Sequence, residues 1–294
     1  MSEIVINYHV TEKCNYICHH CFAKYDVENI HAKEIHHDLD KVEKVLRSTY
    51  DFFKKDLLNK KVRLNFAGGE PLILKNFQNI VSIAKKIGFE ELSLITNGSI
   101  LTKKFIDDHI KAFSMIGISI DSFNYESNIK IGRSTNKKVT LDTHDLIEKI
   151  NYCKSLNRDL KIKINTVVNK INNKELMGRE ISKINPDKWK IFKVIPFNNV
   201  ETITDKEFSI FIRNNKNDTL VPIYAEYSGD MEDSYIMIDP LGRFYQNSNQ
   251  SIGYEYSQPI YKIGIKNAFN QINFDENKFK KRYIPINREK NKCL

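Results

Sequence analysis

The chain has 294 residues and a mass of 34.4 kDa, with 46 basic and 37 acidic side chains and a formal charge of +9. At 41% hydrophobic and 11% aromatic residues it can bury a sizeable core, which excludes wholesale disorder, and its length fits one large domain or two ordinary ones. No run approaches about 18 uncharged apolar residues, so a transmembrane helix is not expected, and the positive balance asks first for a phosphate-bearing partner such as nucleic acid.

The opening MSEIVINYHVTEKC reads as a strand, Ile4–Val10, and not as a charged-then-apolar leader. Helix Asp38–Lys55 follows, then strand Val62–Phe66, helix Phe77–Ile87, strand Leu92–Thr96 and helix Thr102–Ala112. The rhythm continues with strand Met115–Ile120, helix Leu141–Leu156, strand Lys161–Val168, helix Lys174–Ile184 and strand Trp189–Val194. Strands alternating with amphipathic helices predict a parallel sheet with right-handed crossovers, and six such units suit an open barrel better than a closed eight-fold one. After residue 200 the rhythm is expected to stop. A helix at Thr204–Asn214 gives way to short strands at Ser234–Ile238 and Arg243–Gln246, broken by Gly242, Gly253 and Pro259. The expected division is a core over 1–200 and an α+β extension over 201–294 that closes the barrel mouth.

The strands carry a second pattern. Ile4, Ile6 and Tyr8 oppose Val5, Asn7 and His9; Val62, Leu64 and Phe66 oppose Arg63 and Asn65. Ile116, Ile118 and Ile120 oppose Gly117, Ser119 and Asp121, while Ile162 and Ile164 oppose Lys163 and Asn165. Helices cover an apolar outer face, so the polar face points into a lumen, which then is a ligand cavity. An antiparallel sheet with one wet face is the competing reading.

Three of the five cysteines, Cys14, Cys18 and Cys21, fall within eight residues in a C-x3-C-x2-C spacing. A disulfide scaffold would spread its cysteines more evenly. With His19 and His20 adjacent, a zinc site of three thiolates and one imidazole is one reading. No second ligand pair follows, so three thiolates from one loop with a vacant fourth corner better suit an iron–sulfur cluster that binds a small molecule at its unique iron. Cys153 lies in a helical pattern and reads as a buried small hydrophobe, and Cys293 is assigned nothing. The next two strands run into Gly68-Gly69-Glu70-Pro71 and Thr96-Asn97-Gly98-Ser99, at the strand ends where barrel sites are built. Two glycines permit close backbone approach, and Glu70 could meet a charged amino group.

Taken together, the cysteine triad followed by Phe22, then GGEP, then TNG resembles the radical S-adenosylmethionine (SAM) superfamily. The resemblance implies a partial (β/α)6 barrel of the radical SAM type, a [4Fe–4S] cluster on Cys14, Cys18 and Cys21, and SAM at the open iron. Phe22, Gly68, Gly69, Glu70, Asn97, Ser119 and Asp121 would contact SAM. Further motifs, from NYHVT and CNYICHHCF through NFAGGEP, ISIDSFNYESNIKIGR, IKINTVVN, PDKWKIF and LVP to DSYIMID, resemble viperin-type enzymes in order over residues 7 to about 246. That resemblance implies abstraction of the ribose 4′ hydrogen of a nucleoside triphosphate and dehydration to a 3′-deoxy-3′,4′-didehydro nucleotide, a chain terminator in antiviral defence, with CTP or UTP favoured. Asn7, His9, Arg133, Lys163, Asn165 and Lys190 would bind substrate, and Tyr235 would return a hydrogen atom to the sugar.

The residues support a triphosphate independently, because an unpaired lysine inside a barrel costs several kcal/mol and calls for an anion. The remaining lysines are scattered among acidic residues, so no stable nucleic-acid binding is expected. An external reductant such as flavodoxin or ferredoxin is implied. Animal viperins carry a membrane-binding amphipathic helix before the core; here the chain begins just before the first strand, so a soluble cytoplasmic protein without a membrane anchor is expected. A cysteine and a lysine of the family's following loop are missing from FYQNSNQSIGYEYS, and Lys281, Arg282, Lys290 and Lys292 could replace that charge from the tail. The alternatives are a radical SAM enzyme acting on RNA or peptide, and a non-catalytic metal- and nucleic-acid-binding module.

Overall fold

The computed structural model describes residues 3–25, 27–55, 61–196, 200–249 and 253–286. Strand β1 (Glu3–His9) leads through the cysteine loop and a single turn, α1 (Ile30–Lys33), into the long helix α2 (Leu39–Lys55). Then come β2 (Lys61–Ala67), α3 (Phe77–Ile87), β3 (Glu91–Thr96), α4 (Lys103–His109), β4 (Met115–Ser119), α5 (Tyr125–Ile131), α6 (Thr143–Leu156), β5 (Lys161–Val168), α7 (Gly178–Ile184) and β6 (Lys188–Lys193). The chain continues through α8 (Asp205–Lys216), β7 (Ile223–Glu226), α9 (Ser228–Met231), β8 (Ile236–Ile238), β9 (Phe244–Asn249) and β10 (Gly253–Tyr256). Short helices α10 (Ile260–Ile263), α11 (Ile265–Phe269) and α12 (Glu276–Lys281) end the described chain.

All ten described strands form one open sheet in the order β10-β9-β8-β1-β2-β3-β4-β5-β6-β7. Neighbouring strands from β1 to β7 pair in parallel, as do β1 and β8; the β8–β9 and β9–β10 pairs are antiparallel. The architecture is a partial α/β barrel, as the strand–helix alternation predicted. The expected stop after residue 200 is corrected. One more unit follows, in which α8 crosses over and β7 pairs in parallel with β6. Its four residues, IYAE, bury only Ile223 and Glu226, so the apolar run that marks the other strands is missing.

Helices hold the outer face. On α2 the buried residues are Val42, Val45, Leu46, Thr49 and Phe53, a helical stripe, and on α3 they are Phe77, Ile80, Val81, Ala84 and Ile87. They cover Ile6, Tyr8, Leu64, Phe66, Leu94 and Ile118 in a single large core. Cys153 is buried on α6 in that core, as expected of a small hydrophobe. Helix α8 starts with a capping box between Thr204 and Glu207. Lys290, Lys292 and Cys293 lie outside the described residues.

Candidate active site

The alternate face of the strands lines one large cavity. Asn7 and His9 of β1, Arg63 and Asn65 of β2, Ser119 of β4, Lys163 and Asn165 of β5 and Lys190 of β6 all border it. The period-two reading therefore placed each of these on the lumen side.

The cysteine loop leaves β1 at one end of this cavity, and backbone pairing fixes its course. Gly69 N–H donates to Thr11 O at 2.7 Å and Glu70 N–H donates to Lys13 O at 2.9 Å. A Cβ at Gly69 would lie 2.2 Å from Lys13 O, and one at Gly68 would lie 2.4 Å from Thr11 O. The close approach that the two glycines permit is thus to the cysteine loop itself. On the loop's other side, Ile17 and His19 N–H groups donate to Gly132 O and Ile131 O. Buried Glu34 clamps the start of the loop: its carboxylate accepts from Thr11 Oγ1 and Glu12 N–H, both at 2.7 Å. No sequence motif pointed to Glu34, because its partners are distant backbone and hydroxyl groups.

Cys14, Cys18 and Cys21 are free thiols, partly exposed. Among the described residues, only Glu34, His36 and His37 bring three such ligand atoms within 4.8 Å of one another. The three cysteine sulfurs are therefore not gathered within that distance, a spread that suits the corners of an iron–sulfur cluster better than a single zinc ion. His20 Nε2 lies 3.2 Å from Asp121 Oδ2, which leaves only its Nδ1 for a metal. Burial pushes the Cys18 thiol up to about 12, so only a bound metal centre would hold it as thiolate.

Glu70 is fully buried, accepting from Asn97 N–H at 2.7 Å, Thr96 Oγ1 at 2.9 Å and Leu72 N–H at 3.2 Å. Burial still raises its carboxyl to about 7, which leaves room for a cationic partner such as an ammonium group. Asn97 Nδ2 donates to Asn15 at 2.8 Å and lies 3.8 Å from Cys14 Sγ, tying the TNG turn to the cysteine loop. Asp121, buried at the end of β4, accepts from Val167 N–H at 2.8 Å and pairs with Arg133 Nε at 2.5 Å. Against its burial, the Arg133 guanidinium holds the Asp121 carboxyl well below the ordinary range. Arg133 reaches the cavity, but its charge is already compensated by Asp121.

The far wall is strongly basic. Arg63, Lys188 and Arg282 join Lys163 and Lys190 there, and none of the three belonged to the expected substrate set, although Arg282 was one of four tail candidates. Burial drives the Lys163 ammonium far below its ordinary range, and Lys190, Lys188 and Arg63 push it the same way. Lys163 has no ion pair among the described residues, and Asn165 Oδ1 beside it has no hydrogen-bond donor. Gly117 makes room for it, since a Cβ there would lie 2.8 Å from Lys163 Cε.

Lys190 differs from expectation, because it is paired. Its Nζ lies 2.5 Å from Glu226 Oε1 and 3.2 Å from the Tyr235 hydroxyl, and burial lowers it to about 8. Tyr235 donates its O–H to the other Glu226 oxygen, and the Arg282 guanidinium stacks 3.4 Å from the Tyr235 ring centre. Glu226 was not anticipated; it stands alone in a short strand without a motif. Tyr235 borders the cavity and is not sealed in the core. His9 contacts the Tyr25 and Tyr245 hydroxyls, and burial lowers it to about 3, so it is neutral. Asn7 accepts from Asn65 at 2.8 Å on the floor, and Phe22 packs edge-on to His9. Lys281 is exposed on the outside of α12.

Residues 8–177 match the Radical SAM superfamily. The structure is similar to Streptococcus suis SuiB bound to S-adenosylmethionine, with TM-score 0.61, 13% identity and coverage of 94% of this chain and 66% of that one. It is also similar to anSMEcpe with bound AdoMet, with TM-score 0.62, 14% identity and coverage of 95% and 82%. At those identities the likeness establishes the fold. The chain belongs to the radical SAM superfamily, whose members use a [4Fe–4S] cluster and SAM. Over 291 residues it is 39% identical to the S-adenosylmethionine-dependent nucleotide dehydratase of Psychrobacter lutiphocae, spanning 96% of this chain and 95% of that protein. A protein of the same name from Fibrobacter is 38% identical over 96% of this chain and 89% of its own length. Within the superfamily, it is thus a member of the viperin-like S-adenosylmethionine-dependent nucleotide dehydratases.

Proposed function

We propose that the protein dehydrates a nucleoside triphosphate to its 3′-deoxy-3′,4′-didehydro form after loss of the ribose 4′ hydrogen. The observation that carries this reading is the unpaired Lys163 in a basic cavity that opens beside the cysteine loop. When bound, the cluster and SAM supply a 5′-deoxyadenosyl radical that takes a hydrogen atom from the substrate. Cys14, Cys18 and Cys21 would hold the cluster. Glu70 would accept the SAM ammonium, with Gly68, Gly69, Asn97, Ser119, Asp121 and Phe22 shaping the rest of that subsite. Lys163, Asn165 and Lys190 would bind the triphosphate, joined by Arg63 and Arg282, because about four negative charges need several cations in a dry site. Arg133, Asn7 and His9 would border the sugar. Tyr235 would supply the proton and electron with which the 3′ hydroxyl leaves as water, the external one-electron reductant then restoring the tyrosine; its hydroxyl is oriented by Glu226 and Lys190. Residues 201–294 would close the mouth and exclude water from the radical.

No helix among the described residues is long and apolar enough to cross a membrane. We place the protein in the cytoplasm, where triphosphates and reduced electron carriers are both at hand, with a pyrimidine nucleotide as the favoured substrate. The test offers SAM to the reduced, cluster-loaded enzyme with ATP, GTP, CTP or UTP in turn, and measures 5′-deoxyadenosine and dehydrated nucleotide. Formation of both with at least one triphosphate is expected. SAM cleavage that is equal with all four and with none sinks the substrate assignment.

A further inference from the structure

An electron must enter this site from outside, and electron tunnelling falls off exponentially with distance. A donor must therefore sit where the cysteine loop comes nearest the surface. The inner side of the loop is taken, because His20 and Phe22 border the substrate cavity. On the outer side Ile17, between Cys14 and Cys18, is 60% exposed.

The surroundings of Ile17 are built from three segments joined side by side. The loop rests on the C-terminal end of α5 through Ile17 N–H to Gly132 O at 3.2 Å and His19 N–H to Ile131 O at 3.0 Å. Gly132 is required there, with φ +84 and a Cβ position 2.4 Å from Ile17 O. The turn 135–139 closes through Thr135 N–H to Val139 O at 3.0 Å, and Tyr125 at the start of α5 donates to Lys138 O at 3.2 Å. Tyr125 and Val139 are themselves 51% and 59% exposed. Large apolar side chains left open along α5 and the two segments that flank it mark a contact surface.

The charge at this surface is mostly positive, four lysines against Glu126. Lys13, Lys130, Lys137 and Lys138 are exposed around Ile17, α5 and the turn, and none has an ion pair among the described residues. Some other surface lysines, such as Lys103, Lys104 and Lys149, pair with an aspartate four residues away on the same helix, so what distinguishes this face is the number of lysines gathered beside the cysteine loop. Lys138 also adopts φ +59, a left-handed conformation that favours glycine or asparagine. Glu126, in the first turn of α5, is that helix's one acidic residue.

We infer that Ile17, Tyr125 and Val139, ringed by Lys13, Lys130, Lys137 and Lys138, form the docking face for a small acidic one-electron carrier protein of the flavodoxin or ferredoxin class. The inference rests on the radical SAM reading of the cysteine loop. The carrier is oxidised by one electron and the cluster is reduced by one, with no bond or proton moved at the interface. A small patch suffices, because electron-transfer encounters are brief and steered by charge.

The test compares the cluster-loaded enzyme with its K130E/K137E/K138E variant, using reduced flavodoxin as donor and dithionite as a small chemical reductant. For the parent enzyme, stopped-flow reduction of the cluster by flavodoxin should slow at least about tenfold as ionic strength rises from about 0.05 M to about 0.5 M. The variant should be reduced by flavodoxin at least about tenfold more slowly at low salt, with little salt dependence left. Calorimetric binding of oxidised flavodoxin should weaken in parallel, while dithionite-driven formation of 5′-deoxyadenosine stays unchanged. A variant that flavodoxin binds and reduces as well as the parent overturns the docking face. Failure of the parent enzyme to cleave SAM with dithionite overturns instead the reading on which it rests.

Discussion

Lys163 lies desolvated in the cavity wall with no ion pair among the described residues, and its removal separates binding from folding. Lys163→Met should raise the melting temperature of the substrate-free protein, because a desolvated amine with no counter-ion is replaced by an apolar side chain of similar shape. The same change should weaken triphosphate binding about tenfold to hundredfold while iron content stays constant, checked by calorimetry and iron analysis. Lys190 sets the pH dependence. Its proton is held below about pH 8 in the free protein and is lost above it, whereas a bound phosphate requires it. Lys190 should make triphosphate affinity fall more steeply above about pH 8, by up to about tenfold per unit, with proton uptake visible as a buffer-dependent binding enthalpy. Cys14→Ala should remove the brown absorbance and SAM cleavage together and leave the far-ultraviolet circular dichroism unchanged. At this scale strand alternation placed Asn7, His9, Lys163 and Asn165 on the cavity wall before the fold was known. Glu34 and Glu226 escaped, because each acts on groups far away along the chain.

Among the elements, the cysteine loop depends on two strand-end glycines rather than on its own hydrogen bonds alone. A Cβ at Gly69 meets the Lys13 carbonyl oxygen at 2.2 Å, a backbone atom that cannot swing aside. Gly69→Ala should therefore displace the loop, destabilise the protein by about 1–3 kcal/mol and sharply lower the iron bound per chain, read by thermal melts and iron analysis. Strands with β-branched runs and helices with clean apolar stripes were legible before folding. Helix α5 was not, since YESNIKI has two buried positions and reads as loop. Strand β7 was missed because four residues give no period, and β10 because its GYEY run buries nothing fully.

For the whole molecule, the sheet stays open between β7 and β10, and the ion cluster around Glu226 spans the lumen. Glu226 of β7 contacts Lys190 of β6, Tyr235 just before β8, and Arg282 just after α12. Glu226→Ala leaves two cations buried without their anion, at a cost of about 3–5 kcal/mol. The melting temperature should drop by about 10 °C in a chain of this size. A saturating nucleoside triphosphate should recover part of the loss, because its phosphates replace the missing carboxylate. Equal melting curves for parent and variant would remove Glu226 from this role.

The sequence by itself determined the cysteine triad, the GGEP and TNG turns, the parallel α/β architecture and the polar face of each strand. These are local properties, fixed by spacing and by the period of two that a strand imposes. Only the tertiary structure decided which cations are free. Arg133 and Lys190 read as bare charges along the chain, yet folding brings Asp121 and Glu226 against them, while Lys163 is left with none. Whether a buried charge still needs an external partner depends on neighbours supplied by distant strands, and no local pattern encodes that balance.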